Sequence, residues 1–224
     1  MGSLIRRERQ KQGLSLRALA RKVGVSASML SQVETERTRP SVSTIYAIAT
    51  ELGLSIDALL SGNEAEVAAA ANGRARRAPA SAPAPSELAC QLVGPGERRK
   101  LELESGVTWE LLSDLLPHLV DFMYVTYEPG GCSSSSGKMM RHTGTEFAFL
   151  LRGSLKIQVG FDEYILGPGD AMAFDSSEPH LLMNEGSEPA EGIWFVLGRR
   201  LTPESHAARV VMPLDGGRLH RPEA

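Results

Sequence analysis

The stretch LRALARKVGVSASMLSQVE, residues 16–34, decides the fold of the N-terminal part of this chain. Apolar residues recur in it at helical spacing both before and after Gly24. Two helices that cross closely need a small residue at their contact, and Ala20 fits that position. A turn with positive φ favours glycine, and an apolar residue such as Val25 can fill the core beneath it. The stretch therefore predicts a helix-turn-helix.

Helical periodicity extends from this stretch over residues 4–60. Each helical run follows a serine, a residue type that N-caps favour because its side chain accepts a backbone hydrogen bond. These serines are Ser15, Ser26, Ser43 and Ser55. Glycines stand where helices should stop, at positions 13, 24 and 53. We therefore expect residues 1–62 to form an all-α domain that contains the helix-turn-helix.

The composition changes abruptly after this domain. Residues 63–88 are rich in alanine and proline, carry little apolar bulk, and contain prolines that forbid a continuous helix. We expect a flexible linker there. Residues 89–200 contain many short β-type runs separated by turn signals, which favours an all-β sandwich or barrel. Residues 201–224 have few apolar residues, and we expect a C-terminal tail that is partly disordered.

Charge and composition narrow the possible functions. Residues 1–62 carry nine Lys and Arg against five Asp and Glu, and residues 89–224 carry twelve against nineteen, within a net charge of −3. A basic N-terminal part and an acidic C-terminal part indicate that only the N-terminal part binds a polyanion. No stretch reaches the roughly 18 apolar residues of a membrane span, and no apolar signal-peptide segment begins the chain. Two cysteines without metal-ligand spacing, Cys90 and Cys132, favour a reducing cytoplasm.

Residues 4–60 resemble the Xre-type, lambda-repressor-like helix-turn-helix family. The resemblance rests on the motif SQVE at residues 31–34, followed by Arg37, by RPS at residues 39–41 and by Ile45. It implies that the helix after Ser26 lies in the major groove of double-stranded DNA. The implied contacts to base edges are Ala27, Ser28, Ser31 and Gln32, and the implied phosphate contacts are Arg17, Arg37, Arg39 and Ser41. The alternative is that the arginines are solvated surface charges.

A second group of polar residues lies in the β-rich part. Met140, His142 and Glu146 have the same parity, so an extended chain can point all three into one cavity. His180, which follows the turn at residues 168–170, brings a second imidazole into the same sheet system. Two histidines and one carboxylate can form a facial site for a divalent metal.

These residues resemble the two cupin motifs. His142, Glu146 and Gly153 fit the second half of the first motif, and His180 with Asn184 fits the end of the second. The resemblance implies a cupin barrel, a double-stranded β-helix, for residues 89–200. The fold class is then α+β multidomain, with an all-α helix-turn-helix domain, a linker and an all-β cupin domain.

The cupin resemblance also implies a ligand set, from which this chain departs. Met140 stands where the family has the first histidine, and a thioether is a poor ligand for Zn²⁺, Mn²⁺ or Fe²⁺. The remaining set for Zn, Mn, Fe or Ni is His142, Glu146 and His180. The alternative, which we prefer at the level of sequence, is a hydrogen-bonded polar cluster in an effector pocket. That pocket is predicted to contain Tyr124, Met140, His142, Glu146, Phe174, His180 and Trp194.

The whole chain resembles the Xre–cupin regulators of bacteria. This resemblance implies a cytoplasmic transcriptional regulator, not an enzyme, that binds double-stranded DNA as a homodimer and binds a small-molecule effector in its cupin domain. Two other interpretations stay open. One is a metal-dependent cupin enzyme, an oxygenase or isomerase, with the helix-turn-helix as a tether. The other is a cupin that only dimerises.

Overall fold

The computed structural model of the chain describes residues 1–61, 91–113 and 120–198. Five helices come first, and they are α1 Gly2–Lys11, α2 Leu16–Val23, α3 Ala27–Glu34, α4 Val42–Leu52 and α5 Ile56–Ser61. All helices of the described residues lie in this N-terminal part, and all nine strands follow them. The predicted fold class, an all-α domain followed by an all-β domain, is therefore confirmed.

Serine side chains start the helices as their chemistry favours. The hydroxyls of Ser15, Ser26 and Ser55 each accept a hydrogen bond from the backbone N–H three residues on. The prediction of Ser43 as the cap of α4 is wrong, because Ser41 holds that place and accepts the N–H of Thr44. The helix begins two residues earlier than predicted, which lets Val42 bury its side chain in the core.

The turn between α2 and α3 has the predicted form. Gly24 ends α2 with φ 75° and ψ 24°, in the left-handed region, and its N–H donates to the carbonyl of Ala20. A side chain at this position would meet no neighbouring atom, so its backbone conformation is what favours glycine. The two helices then pack over a shared core that includes Leu19, Leu30 and Ile45.

A buried ion pair joins α1 to the end of α3. Arg9 of α1 donates from Nε and Nη2 to the two carboxylate oxygens of Glu34 at 2.6 and 2.9 Å. The remaining guanidinium nitrogen, Nη1, donates to the carbonyl of Leu14 at 2.8 Å. Both side chains are at least nine-tenths buried. Such a bidentate pair fixes the end of α3 against α1.

Two sheets make up the C-terminal domain. The strands are β1 Lys100–Leu103, β2 Val107–Ser113, β3 Val120–Tyr127, β4 Thr145–Arg152, β5 Leu155–Val159, β6 Asp162–Leu166, β7 Ala171–Asp175, β8 His180–Met183 and β9 Ala190–Leu197. The larger sheet has the order β1-β2-β3-β9-β4-β7, and the smaller has the order β6-β5-β8. Isolated bridges pair Met140 with His180 and Cys132 with Met183 and so connect the loop after β3 to the smaller sheet.

Alternating burial defines the interior of this domain. In β3 the side chains of Met123, Val125 and Tyr127 are buried, and in β9 those of Trp194 and Val196 are buried. The intervening side chains lie on the other face of the larger sheet, as the period of two in a strand requires. The interior face is therefore the one that meets the smaller sheet and carries the polar site described below.

The helical domain packs directly against the barrel. The N–H of Ser43, in the first turn of α4, donates to the carbonyl of Ser133 at 2.9 Å, and the N–H of Glu104 donates to the carbonyl of Pro40 at the same distance. The ring of Tyr46 meets that of Trp109 edge-on, with ring centroids 5.2 Å apart. The buried apolar residues of both domains form one continuous cluster.

Part of the chain lies outside the residues that the structure describes. The linker at 63–88, the tail at 201–224 and Cys90 all fall on residues that the structure does not describe, and the exact domain boundaries stay predictions. Within the described ranges, the helices are too short and too polar to cross a bilayer.

The buried ion pair gives a stability prediction. Replacing Glu34 with alanine leaves the Arg9 guanidinium buried without a counter-charge, so we expect the free energy of unfolding to fall by about 3 kcal/mol. The measurement is urea unfolding of the intact chain, followed by the helical circular dichroism signal, which reports the N-terminal domain. Glu51→Gln is the matched control, because it breaks the more exposed pair between Lys22 and Glu51 and should cost below about 1 kcal/mol. Equal losses in the two variants would contradict the prediction.

Candidate functional site

The predicted base-contacting residues share the outer face of α3. Ser28 and Gln32 are exposed, and Ala27 and Ser31 are half-buried at the margin of the same face. The opposite face of the helix buries Leu30 and Val33 in the core. Three short side chains beside the exposed amide of Gln32 would leave the backbone of α3 free to approach the floor of a DNA groove.

The predicted phosphate contacts divide into two groups. Arg17, Arg37 and Arg39 are exposed, as a contact to a polyanion requires. Arg39 also lies 2.5 Å from a carboxylate oxygen of Glu102 in β1, so the barrel already offers it a counter-charge. Ser41 is buried at 1% exposure, and its hydroxyl is used by Thr44 and Ser43 at the start of α4. In this arrangement Ser41 faces the core, so we omit it from the DNA-binding surface.

Three side chains from separate parts of the barrel meet in its interior. Glu146 lies near the start of β4, His142 precedes that strand, and His180 begins β8. The Nε2 atom of His142 is 3.0 Å from Oε1 of Glu146, and Nε2 of His180 is 3.2 Å from the same oxygen. All three side chains are at most 3% exposed. We call them the three-residue centre.

The outer nitrogens of both imidazoles are held by backbone carbonyl groups. Nδ1 of His142 lies 3.1 Å from the carbonyl oxygen of Thr143, and Nδ1 of His180 lies 2.9 Å from that of Glu178. A carbonyl oxygen can only accept a hydrogen bond, so both Nδ1 atoms carry protons. In the neutral imidazoles, Nε2 then presents a lone pair to the centre, as it does in histidines that bind metals.

The inward-facing atoms of the centre have no hydrogen bond. Nε2 of His142, Nε2 of His180 and Oε1 of Glu146 are buried without a partner, although they are close together. Protons on the two Nε2 atoms, which lie 3.0 and 3.2 Å from Oε1, would turn the three residues into the hydrogen-bonded polar cluster that we preferred from the sequence, so that cluster stays a prediction beside the metal site. Buried polar atoms without partners are rare, because each loses its hydration without compensation. A cation bound between the three atoms would accept an electron pair from each of them and so satisfy them.

The electrostatics of the centre depend on the same contacts. Burial alone would raise the pKa of Glu146, but the close approach of His142 and His180 outweighs it and lowers that pKa well below its usual range. Burial lowers the pKa of His180, and the neighbouring Glu146 more than offsets it, so this pKa is raised. The other carboxylate oxygen of Glu146 accepts a hydrogen bond from Nε1 of Trp194 at 3.1 Å. The carboxylate is thus kept charged and fixed in orientation.

The donor set fits a divalent metal. Two imidazole nitrogens and one carboxylate oxygen, all within 4.8 Å of one another, could hold an ion between them. Zn²⁺, Mn²⁺, Fe²⁺ and Ni²⁺ accept such nitrogen and oxygen ligands. Met140, in the place of the family's first histidine, pairs its backbone with His180 and helps to line a cavity of about 480 Å³ between the barrel and the helical domain.

The structure supports some of the predicted pocket residues and corrects one. Phe174 is buried, with its ring centroid 5.1 Å from that of His180, and Trp194 contacts Glu146. Tyr124 lies on the opposite face of β3, where its hydroxyl donates to Glu191 at 2.8 Å, so its predicted place in the pocket is wrong. The parity of the strand places Tyr124 and the interior residue Tyr127 on different faces.

Two tyrosines that the sequence analysis missed lie near the centre. Tyr127 is buried in the barrel, and burial followed by the charge of Glu146 raises its pKa well above 10. Tyr46 comes from α4 of the helical domain, and its ring stacks on that of His142 with centroids 4.3 Å apart and planes 16° from parallel. Strand parity could have identified Tyr127. No feature of the sequence assigns a residue of the DNA-binding segment to the barrel site.

Comparison with known families agrees with this architecture. The profile of a helix-turn-helix family matches residues 5–59, and that of the cupin domain matches residues 123–196. The chain is 25% identical over 178 residues to the HTH-type transcriptional regulator PuuR of Escherichia coli K12, a match that covers 79% of this chain and 83% of PuuR. A PuuR protein of Shigella flexneri matches equally well.

A solved structure shows the same fold. A transcriptional regulator of the HTH_3 family from Vibrio cholerae superposes with a TM-score of 0.58 and 20% identity, covering 88% of this chain and 93% of that one. Hydroxypropylphosphonic acid epoxidase from S. wedmorenis also matches, at 20% identity, with 88% of this chain and 96% of that chain covered. Its TM-score is only 0.43, so no function follows from that likeness.

The two matched domains define the class of the protein, a DNA-binding helix-turn-helix regulator that carries a cupin domain. The order of these domains and the extent of the PuuR match identify the family more narrowly. A helix-turn-helix domain followed by a cupin domain is the domain order of an Xre–cupin transcriptional regulator, and the similarity to PuuR supports that class.

Proposed function

We propose that this regulator recognises a specific DNA sequence with α3 and that its cupin domain senses a small molecule. The observation that carries the proposal is the position of α4. Its domain leaves Ser28 and Gln32 of α3 exposed, while Tyr46 of α4 lies against His142 inside the barrel. The same helical domain thus carries the exposed face of α3 and contacts the barrel site. A bacterial regulator of this kind acts in the cytoplasm, where the DNA lies.

We propose that the three-residue centre binds a divalent metal as part of the sensor. His142, Glu146 and His180 would hold the ion, which supplies a Lewis-acidic centre for oxygen or nitrogen atoms of the effector. The chain's own groups prepare the site. The Thr143 and Glu178 carbonyls orient the imidazoles, and Trp194 orients the carboxylate. The wall beside His180 is apolar because Phe174 lies there, which favours an effector with an apolar part.

We propose that the cupin domain senses and does not catalyse. A metal-dependent oxygenase or isomerase is the alternative, and the same two histidines and carboxylate would serve it. Sensing is favoured because a helix of the DNA-binding domain covers one face of His142. A regulator needs such a physical connection between its site and its DNA-binding helix.

A third part of the proposal is that the protein acts as a homodimer. The outer face of the larger sheet carries exposed large apolar side chains, which we call the outer apolar patch, and these are Phe147, Phe149, Phe195 and Leu197. They surround an apolar depression of about 700 Å³. Contiguous apolar patches on soluble proteins mark interfaces, and a symmetric pair of such faces would place two α3 helices on one duplex.

The DNA-binding proposal is tested by selecting duplexes from a randomised pool with the intact protein. We expect an enriched sequence, and Gln32→Ala should lose discrimination at one base by about 1–3 kcal/mol because it removes an amide that can pair with adenine. Replacing Arg37 and Arg39 together with alanine should weaken binding to all duplexes and reduce the magnitude of the salt slope by about 2. Absence of any enriched sequence would contradict the proposal.

Two variants serve as controls in the same assay. Lys156→Ala removes a half-buried cation of the barrel that faces Glu163 and Glu185, and it should leave the salt slope unchanged. Glu102→Gln removes the counter-charge of Arg39 and should strengthen binding slightly. A weaker affinity in Glu102→Gln would contradict the assignment of Arg39 as a phosphate contact.

Metal binding is tested by thermal unfolding with and without Zn²⁺. We expect Zn²⁺ to raise the melting temperature of the wild type, because an ion that binds only the folded state stabilises it. The rise should be larger at about pH 8 than at about pH 6, since a proton on the His180 imidazole, whose pKa is raised, must leave before the ion binds. Glu146→Gln should abolish the rise, and the exposed control Glu163→Gln should retain it. A rise that persists in Glu146→Gln would place the ion elsewhere.

Dimerisation is tested by measuring mass in solution. Phe149→Glu puts a charge in the middle of the outer apolar patch and should convert the dimer to a monomer, because an unpaired charge is costly to bury. Phe161→Glu is the matched control, since Phe161 is fully exposed in the turn between β5 and β6. A wild-type monomer, or a dimer that Phe149→Glu leaves intact, would show that this patch is not the interface.

A further inference from the structure

Tyr46 belongs to the DNA-binding domain, but its side chain contacts residues of the barrel. It belongs to α4 and is only 5% exposed. Its ring stacks on the imidazole of His142 at 4.3 Å, nearly parallel, and meets the edge of the Trp109 ring in β2 at 5.2 Å. The side chain therefore fills the space between the helical domain and the three-residue centre.

This contact completes the environment of His142. The Thr143 carbonyl holds Nδ1 of the ring, and the ring of His180 meets it nearly at right angles at a centroid distance of 5.2 Å. Tyr46 covers a face of the ring. A histidine that binds a metal is well oriented when neighbouring groups hold its ring on several sides. For His142, one of these groups is Tyr46 of the helical domain.

The neighbouring contacts connect Tyr46 to the recognition helix. Pro40 and Ser43, which flank the start of α4, are hydrogen-bonded to Glu104 and Ser133 of the barrel. Helices α2 and α4 pack together, and α3 packs on α2, so the helical domain moves as one unit. A change in the position of the Tyr46 ring is then a change in the position of α3 relative to the barrel.

We infer that Tyr46 is a positioning residue of the barrel site and that it links occupancy of the three-residue centre to docking of the DNA-binding domain. The inference rests on the proposed metal centre and adds the route by which that centre regulates DNA binding. Linkage is reciprocal. If metal changes the affinity for DNA by some factor, DNA changes the affinity for metal by the same factor.

The first test uses Co²⁺ alone, with no DNA, and follows its visible absorption in the intact protein. Tyr46→Phe keeps the ring and should bind Co²⁺ within about twofold of the wild type. Tyr46→Ala removes the ring and should bind about three- to tenfold more weakly, the range that one aromatic contact gives. Its absorption spectrum should also change, because the His142 ligand is no longer held in one orientation.

Ile48→Ala is the control for general damage to the same helix, because Ile48 is fully buried in the helical domain. Thermal unfolding shows that each variant is folded. We expect Ile48→Ala to lose stability but to bind Co²⁺ like the wild type. Equal weakening in Ile48→Ala and Tyr46→Ala, or wild-type affinity in Tyr46→Ala, would overturn the inference alone. A wild type that binds no Co²⁺ would overturn the metal centre and the inference with it.

The second test measures the linkage itself with the duplex selected by the wild-type protein. The ratio of DNA affinities with and without Co²⁺ should differ from one in the wild type and in Tyr46→Phe. It should equal the ratio of Co²⁺ affinities with and without the duplex. In Tyr46→Ala it should move towards one. A wild-type ratio of one, or a ratio that Tyr46→Ala leaves unchanged, would show that Tyr46 carries no coupling.

Discussion

The carboxylate of Glu146 is buried in the barrel and needs a positive partner. Its pKa is lowered by the adjacent imidazoles, so it stays ionised, and a buried charge without compensation is too costly for a folded protein to keep. Trp194 satisfies one of its oxygens, and the other faces two imidazole nitrogens that make no hydrogen bond with it. Either protons on both rings or a bound cation must supply the balance. The site is therefore organised around a buried negative charge whose partner is either the protonated imidazoles or a bound cation.

The buried ion pair of the helical domain shows the contrast. Arg9 donates two parallel hydrogen bonds to the carboxylate of Glu34, and its remaining guanidinium nitrogen donates to the carbonyl of Leu14. Nothing in that pair is left to bind a ligand, so its role is to hold α1 and α3 together. Glu146 has a similar burial but an incomplete set of partners. The difference between satisfied and unsatisfied buried charges separates the structural carboxylate of Glu34 from the carboxylate of Glu146, for which we propose metal binding.

The sequence predicted local features more reliably than contacts between domains. Helix caps and the turn at Gly24 depend on the chemistry of a few adjacent residues, and three of four serine caps were right. Glu146 points into the barrel as strand parity requires. His142 precedes β4 and lies outside any strand, so its convergence with Glu146 depends on the path of the preceding loop, where its N–H donates to the carbonyl of Ser176. Tyr124 was misplaced because its parity within β3 was not considered. Tyr46 could not be found, since its contact with His142 depends on how two separately folded domains pack.

The segment between α3 and α4 contacts the barrel and, in the proposed function, also DNA, and this constrains how regulation can work. Arg39 has Glu102 as a counter-charge in the docked arrangement, and phosphates would compete with that carboxylate for it. An exposed ion pair is worth below about 1 kcal/mol, and the two backbone hydrogen bonds nearby are each worth about 1 kcal/mol net. These polar contacts are individually weak, and the buried ring contacts of Tyr46 with Trp109 and His142 add to them. A ligand whose affinities for the docked and released forms differ by 1–3 kcal/mol, the usual range of allosteric coupling, is then sufficient to change DNA affinity about five- to 150-fold.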